Sequence, residues 1–139
     1  MLITYPQPNG QVAVVIPCGD VNDAIKDVPA GVEYKIVESV DIDNDYFNAY
    51  EFDAELGAKV NIEKAKAIHL DKFRSARTPL LAALDVDFMR AVEAGNTDLQ
   101  KGIAAKKQAL RDVTSNNLSN TLEEVKSTWP EILGKNPFA

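Results

Sequence analysis

Asp41, Asp43 and Asp45 stand at alternate positions with Asn44 among them, which is how a calcium loop begins. Such a loop also needs a glycine at its sixth position for the sharp turn and a bidentate glutamate at its twelfth. Counted from Asp41, those positions hold Tyr46 and Phe52, and Glu51 is one residue out of register. The stretch therefore reads as a polar turn in which Asp and Asn bond their own backbone. No metal site and no cofactor is expected; a weak calcium-binding module is kept as an alternative that rests on these acids alone.

Other chemistry-bearing residues are sparse. His69 is the one histidine and falls on the apolar stripe of a helical pattern, where an imidazole is a packed residue with a satisfied nitrogen. Cys18 is the one cysteine, so it has no internal disulfide partner, and its neighbours are acidic rather than the cations that favour a thiolate. There is no Gly-x-Ser-x-Gly elbow, and "PNG" and "PAG" are turns rather than phosphate loops. The expectation is a protein that is not an enzyme. Arg74 and Arg77 lie three apart on one helix side, and Arg111 with Asp112 ends a later helix. Arginines so placed can hold a hairpin, or a partner, through bidentate pairs with acids.

Bulk properties narrow the class. The 139 residues are 45% hydrophobic and 26% charged, as in an ordinary globular protein. No apolar run approaches the roughly 20 residues that span a bilayer, so no membrane is expected. The N-terminal "MLITYPQPNG" has neither the basic flank nor the apolar core of a signal peptide. Residues 1–58 carry 2 basic and 11 acidic side chains, whereas residues 59–139 carry 13 and 10, giving −9 and +3. A net +3 spread over long helices is no nucleic-acid footprint, and none is expected as a partner. The two halves could instead attract each other within a chain or between copies, so a homo-oligomer fits the pattern.

The elements that must carry these residues follow from periodicity. "LITY" and "QVAVVIP" flank an Asn9-Gly10 turn and predict a β-hairpin. Asp20 caps a short helix over "VNDAIKDV"; "VEYKIVES" alternates as a strand; "YFNAYEFD" predicts a last extended piece presenting Tyr46, Tyr50 and Phe52. From about residue 60 the period becomes helical, with Asn61 as N-cap. Pro79 predicts that this helix ends near Arg77, or kinks and runs to Leu84, with a second helix from Asp85 to a Gly95 stop. Thr97 with Gln100, and Thr121 with Glu124, are capping-box pairs. Leu99, Ile103, Leu110 and Val113 form a narrow seam, and Pro130 closes the last helical turn. The predicted fold is α+β: a small N-terminal antiparallel sheet with one short helix over residues 1–58, then a helical hairpin and short C-terminal helices over residues 59–139.

The pattern "RSARTPLLAALDVDFMRA…KKQALRDVT…WPEIL" resembles the tail assembly chaperone and tail-fibre assembly proteins of tailed bacteriophages. The resemblance rests on Arg74, Arg77, Leu80, Leu81, Asp85, Gln108, Leu110, Arg111, Asp112, Trp129 and Pro130, and covers about residues 62–133. Val86 stands where that family often has Trp, and Lys106-Lys107 where Tyr-Arg is common. The resemblance implies a small tail-associated structural or assembly protein that binds tail or tail-fibre proteins, placed in the virion tail or in the host cytoplasm during assembly. On that reading Arg74, Arg77, Arg111 and Asp112 meet one partner, and the acidic strand with Tyr46, Tyr50 and Phe52 faces a second. The alternative is a soluble adaptor domain from outside any phage.

Overall fold

The computed structural model describes residues Met1–Phe138 and is α+β. Its contacts gather into two compact units, Met1–Ala65 and Lys66 onward.

In the first unit, β1 (Leu2–Pro6) pairs antiparallel with β2 (Val12–Val15) through the predicted turn, with Ile3 opposite Val15 and Pro6 opposite Val12. The other edge of β1 takes β3 (Lys35–Val37), so the sheet order is β2-β1-β3. Only three residues of "VEYKIVES" join the ladder: Lys35, Ile36 and Val37, opposite Thr4, Ile3 and Leu2. Asp20 caps the short helix Val21–Asp27, which is a 3₁₀ helix, by accepting the Asn22 N–H. A separate ribbon of β4 (Tyr50–Asp53) and β5 (Gly57–Val60) follows. The sequence pattern does not mark β5, and the predicted lobe boundary at 58/59 falls inside it. Gly57 is required where it stands: its φ is +85°, and a Cβ there would meet Thr4 Oγ1 and Val37 Cγ1 at 3.1 Å.

The extended piece expected over "YFNAYEFD" is a strand only from Tyr50 on. Asn44–Ala49 is a 3₁₀ segment, started by Asp43, whose Oδ1 accepts the Asp45 N–H at 3.1 Å. Tyr46, Ala49 and Tyr50 are all buried. Their spacing of three and four is helical, not alternating.

In the second unit the main departure concerns Pro79. One helix, α1 (Ile62–Glu93), runs through it for 32 residues, and no separate helix begins at Asp85. Pro79 has no N–H to return to the Ser75 carbonyl, which costs about 3 kcal/mol in an isolated helix. Two things offset that cost. "LLAAL" after the proline is strongly helix-favouring. The packing face also continues across it, from Phe73 and Ala76 to Leu81, Leu84 and Ala91. Tertiary burial overrides the local break. Asn61 caps the helix start as expected, its Oδ1 accepting the Glu63 N–H at 3.1 Å.

Gly95 ends α1 with φ +65°. Its N–H donates to Val92 O and the Asn96 N–H to Ala91 O, the paired bonds of a Schellman stop. Asn96, rather than Thr97, then caps α2 (Thr97–Asp112), its Oδ1 accepting the Leu99 N–H. Gln100 does not box with Thr97; its Nε2 donates to Ala91 O at 3.3 Å across the turn. The seam holds at Ile103, Leu110 and Val113, but Leu99 is half exposed. Thr121 caps α3 (Leu122–Ser127), and Pro130 opens a last 3₁₀ turn, Glu131–Leu133. Phe73, Leu110, Val113 and Leu133 form the centre of this unit's core, with Trp129 and Leu118 against it. None of the described helices is long and apolar enough to cross a membrane.

Candidate functional site

The arginine segments converge. The Arg77 Nη1 on α1 donates to the Arg111 carbonyl at 2.9 Å and to the Leu110 carbonyl at 3.4 Å. These are among the last four carbonyls of α2, which have no partner inside their own helix. A cation at a helix C-terminus also meets the negative end of the dipole. Arg77 therefore holds the hairpin through backbone carbonyls, not through the acid pairs its sequence setting suggests. Replacing Arg77 by methionine keeps the stem packing and removes those bonds. The expected loss is about 1–2 kcal/mol, read as a lower urea midpoint with an unchanged slope.

The other three residues of the set stay at the surface. Arg74 pairs with Asp71, one turn earlier on α1. Asp112 accepts from Gln108 Nε2 at 2.9 Å, also within one helix. Arg111 is exposed and makes no ion pair among the described residues. Exposed pairs of this kind contribute about 0–1 kcal/mol, so these heads are free to exchange partners. The Arg111–Asp112 end of α2 thus offers an exposed guanidinium and an exposed carboxylate, with Arg77 fixed on the backbone carbonyls of the same end.

The aromatic set behaves differently. Tyr46 is 0% exposed and Tyr50 6%, so neither ring is presented to a partner; this corrects their placement on a surface strand. They are spent in the core of the first unit because the 3₁₀ segment turns them inward. The Tyr50 hydroxyl accepts the Asp43 N–H at 3.1 Å. Burial, then the charges of Asp43 and Asp45, push the Tyr46 hydroxyl pKa far up. Phe52 alone of the three is partly exposed, on β4 opposite Ala58.

The acids that resembled ligands have a local use. Asp43 is a cap, and among the described residues no group of three or more His, Cys, Asp or Glu side chains could hold a metal ion. Cys18 is exposed at a shallow hollow that Asp20, Asp23 and Asp27 also line.

His69 is completely buried in the second unit. Its Nε2–H donates to the Thr128 carbonyl at 2.7 Å, since a carbonyl can only accept. The imidazole lies edge-on to Phe73 and Trp129, with centroids 4.8 and 5.9 Å away. Burial lowers its pKa below 6.5 and the Lys72 charge adds to that, while the Thr128 bond opposes both. The unfolded imidazole takes a proton near pH 6.5, whereas the folded one does so only at lower pH. Between those values the unfolded state binds more protons, so stability falls as pH drops. Urea midpoints followed by fluorescence of Trp129, the one tryptophan, are expected to fall from pH 7.5 to 5.5. A His69→Phe variant should lose that dependence.

One contact had no sequence signal beyond charge. Lys107 Nζ pairs with Asp85 at 2.5 Å and lies 5.4 Å from the Phe88 ring centre, tying α2 to the far half of α1. Asp85 stands ten residues before Gly95 and Lys107 twelve after, the symmetric spacing that a hairpin turn at Gly95 brings together.

Comparison of the chain with protein-family models, with curated proteins and with solved structures finds no match in any of the three.

Proposed function

We propose that the chain is a small tail-associated protein of a tailed bacteriophage, structural or assembly-related, which acts by binding tail or tail-fibre proteins and not by catalysis. One observation carries the reading beyond the motif itself. The separate segments of the resemblance meet physically: Arg77 caps the Leu110–Arg111 end, and Leu81 and Trp129 pack against the core cluster that holds Leu110. A motif whose parts build one another is a fold signature, so its recurrence in a family has a physical cause.

The same contacts redistribute the roles. Arg77, Leu81, Asp85, Leu110 and Trp129 build the helical unit. Recognition then falls to what stays exposed, Arg74, Arg111 and Asp112, with Phe52 as the member of the aromatic set that keeps some exposure. Exposed guanidinium and carboxylate heads at one helix end favour a polar, orientation-specific contact.

Mass spectrometry of purified virions and of tail-assembly intermediates tests this. The protein should be found among tail components in one or both. Presence in intermediates alone selects the assembly form; absence from both, in an infected cell that makes the protein, overturns the proposal.

A further inference from the structure

The hairpin of α1 and α2 leaves apolar surface uncovered toward its Gly95 turn. Val86, Met89 and Leu99 are each at least half exposed there. A layer of two helices cannot bury both of its faces, and a second two-helix layer is the common way to cover one.

One face carries a groove of about 420 Å³ between the helices. Leu84, Ala91, Leu99 and Ile103 supply its apolar lining. Asp87 and Arg90 stand on its α1 wall and Lys106 on its α2 wall, Arg90 about one turn nearer Gly95 than the other two, and none of the three makes an ion pair among the described residues. The Asp85–Lys107 pair sets the height of the two walls. Helical rise then puts Asp87 roughly 3 Å and Lys106 roughly 1.5 Å nearer the turn than that pair, almost level with each other.

We propose that this groove is covered by the same groove of a second copy of the chain, making an antiparallel four-helix arrangement with two-fold symmetry. A two-fold axis along the groove keeps every residue at its height and lays α1 on the partner's α2. An acid on one wall and a base on the other, at one level, are then self-complementary: Asp87 meets the partner's Lys106, and Lys106 meets the partner's Asp87. An isologous contact uses each pair twice, so one acid and one base per chain are enough. A foreign helix would need to bring its own matching charges; the second copy already has them. The dimer stands independently of the phage reading.

Sedimentation equilibrium of the full chain tests this, with circular dichroism to check that each variant is helical. The wild type should sediment at twice its 15.2 kDa mass in the micromolar range. Leu99→Lys, at an exposed position, should give monomer. Asp87→Lys and Lys106→Asp should each weaken the dimer at least about tenfold, since each places like charges together twice. The double variant Asp87→Lys/Lys106→Asp should return to within about threefold of wild type, a rescue that a merely structural role for either residue would not give. A monomeric wild type up to about 200 μM overturns the proposal and leaves the groove to a different partner. A dimer indifferent to Leu99→Lys, or one that the double reversal fails to restore, overturns it as well.

Discussion

Phe73→Ala is expected to remove about 3–5 kcal/mol from the stability of the helical unit. Phe73 is 0% exposed and lies at the centre of the cluster with Leu110, Val113 and Leu133. Its ring also meets Trp129 edge-on at 5.2 Å between centroids. Truncation therefore loses the transfer free energy of the ring, the edge-to-face contacts and the fit of the residues around the void. Domains of this size have about 5–15 kcal/mol in all, so the variant should sit near the limit of folding. Trp129 borders the void, and its fluorescence should report a much lower urea midpoint. Phe73→Leu fills most of the space and should cost less than half as much. A loss under about 1 kcal/mol for the alanine variant would contradict the core described here.

Tyr46→Ala should have a comparable effect on the first unit, again about 3–5 kcal/mol, since Tyr46 is completely buried there. A partner-facing tyrosine would cost almost nothing to remove, so the size of the loss separates the two placements. The hydroxyl adds a second readout. Its pKa is raised above the ordinary 10.0 by burial, with Asp43 and Asp45 adding to it. Above about pH 10 the unfolded tyrosine releases its proton while the folded one keeps it. The folded state then binds more protons, and stability falls as pH rises. Tyr46→Phe should flatten that alkaline loss, measured as hydrogen exchange of β1 amides at successive pH values. An unchanged alkaline slope would show that Tyr46 is not the group responsible.

The N-terminal hairpin, the Asp20 and Asn61 caps and the Gly95 stop were legible because each is a local device with its own residue chemistry. Asn9-Gly10 makes the same turn wherever strands flank it, and a glycine at positive φ ends a helix whatever follows. Elements decided by distant packing were not. Nothing near Pro79 announces that Leu81, Leu84 and Ala91 will find α2 and carry the helix through. β5 is short and ordinary, and it is a strand because β4 lies beside it. The 3₁₀ segment after Asp43 lay within reach of sequence reasoning. The three-and-four spacing of Tyr46, Ala49 and Tyr50 is visible, but it competes with an alternation of Tyr46, Tyr50 and Phe52 over the same residues.

For the arginine set, sequence pattern pointed to the two helix segments that meet but not to the atoms that join them. Arg77 and Arg111 do come together, through a carbonyl rather than a carboxylate. Backbone acceptors at a helix end have no letter in the sequence. Arg74, Arg111 and Asp112 keep exposed heads, while Tyr46 and Tyr50 lose theirs to the core.

The function we propose is binding of tail or tail-fibre proteins through the exposed arginine end of the hairpin. Affinity capture of the tagged full chain from phage-producing cells, quantified against an untagged control, tests it most directly. Tail or tail-fibre proteins should be enriched with the wild type. They should fall at least about tenfold with Arg74→Glu/Arg111→Glu, whose exposed positions leave the fold intact. Capture of no tail or fibre protein, or capture that the double reversal leaves unchanged, would contradict it.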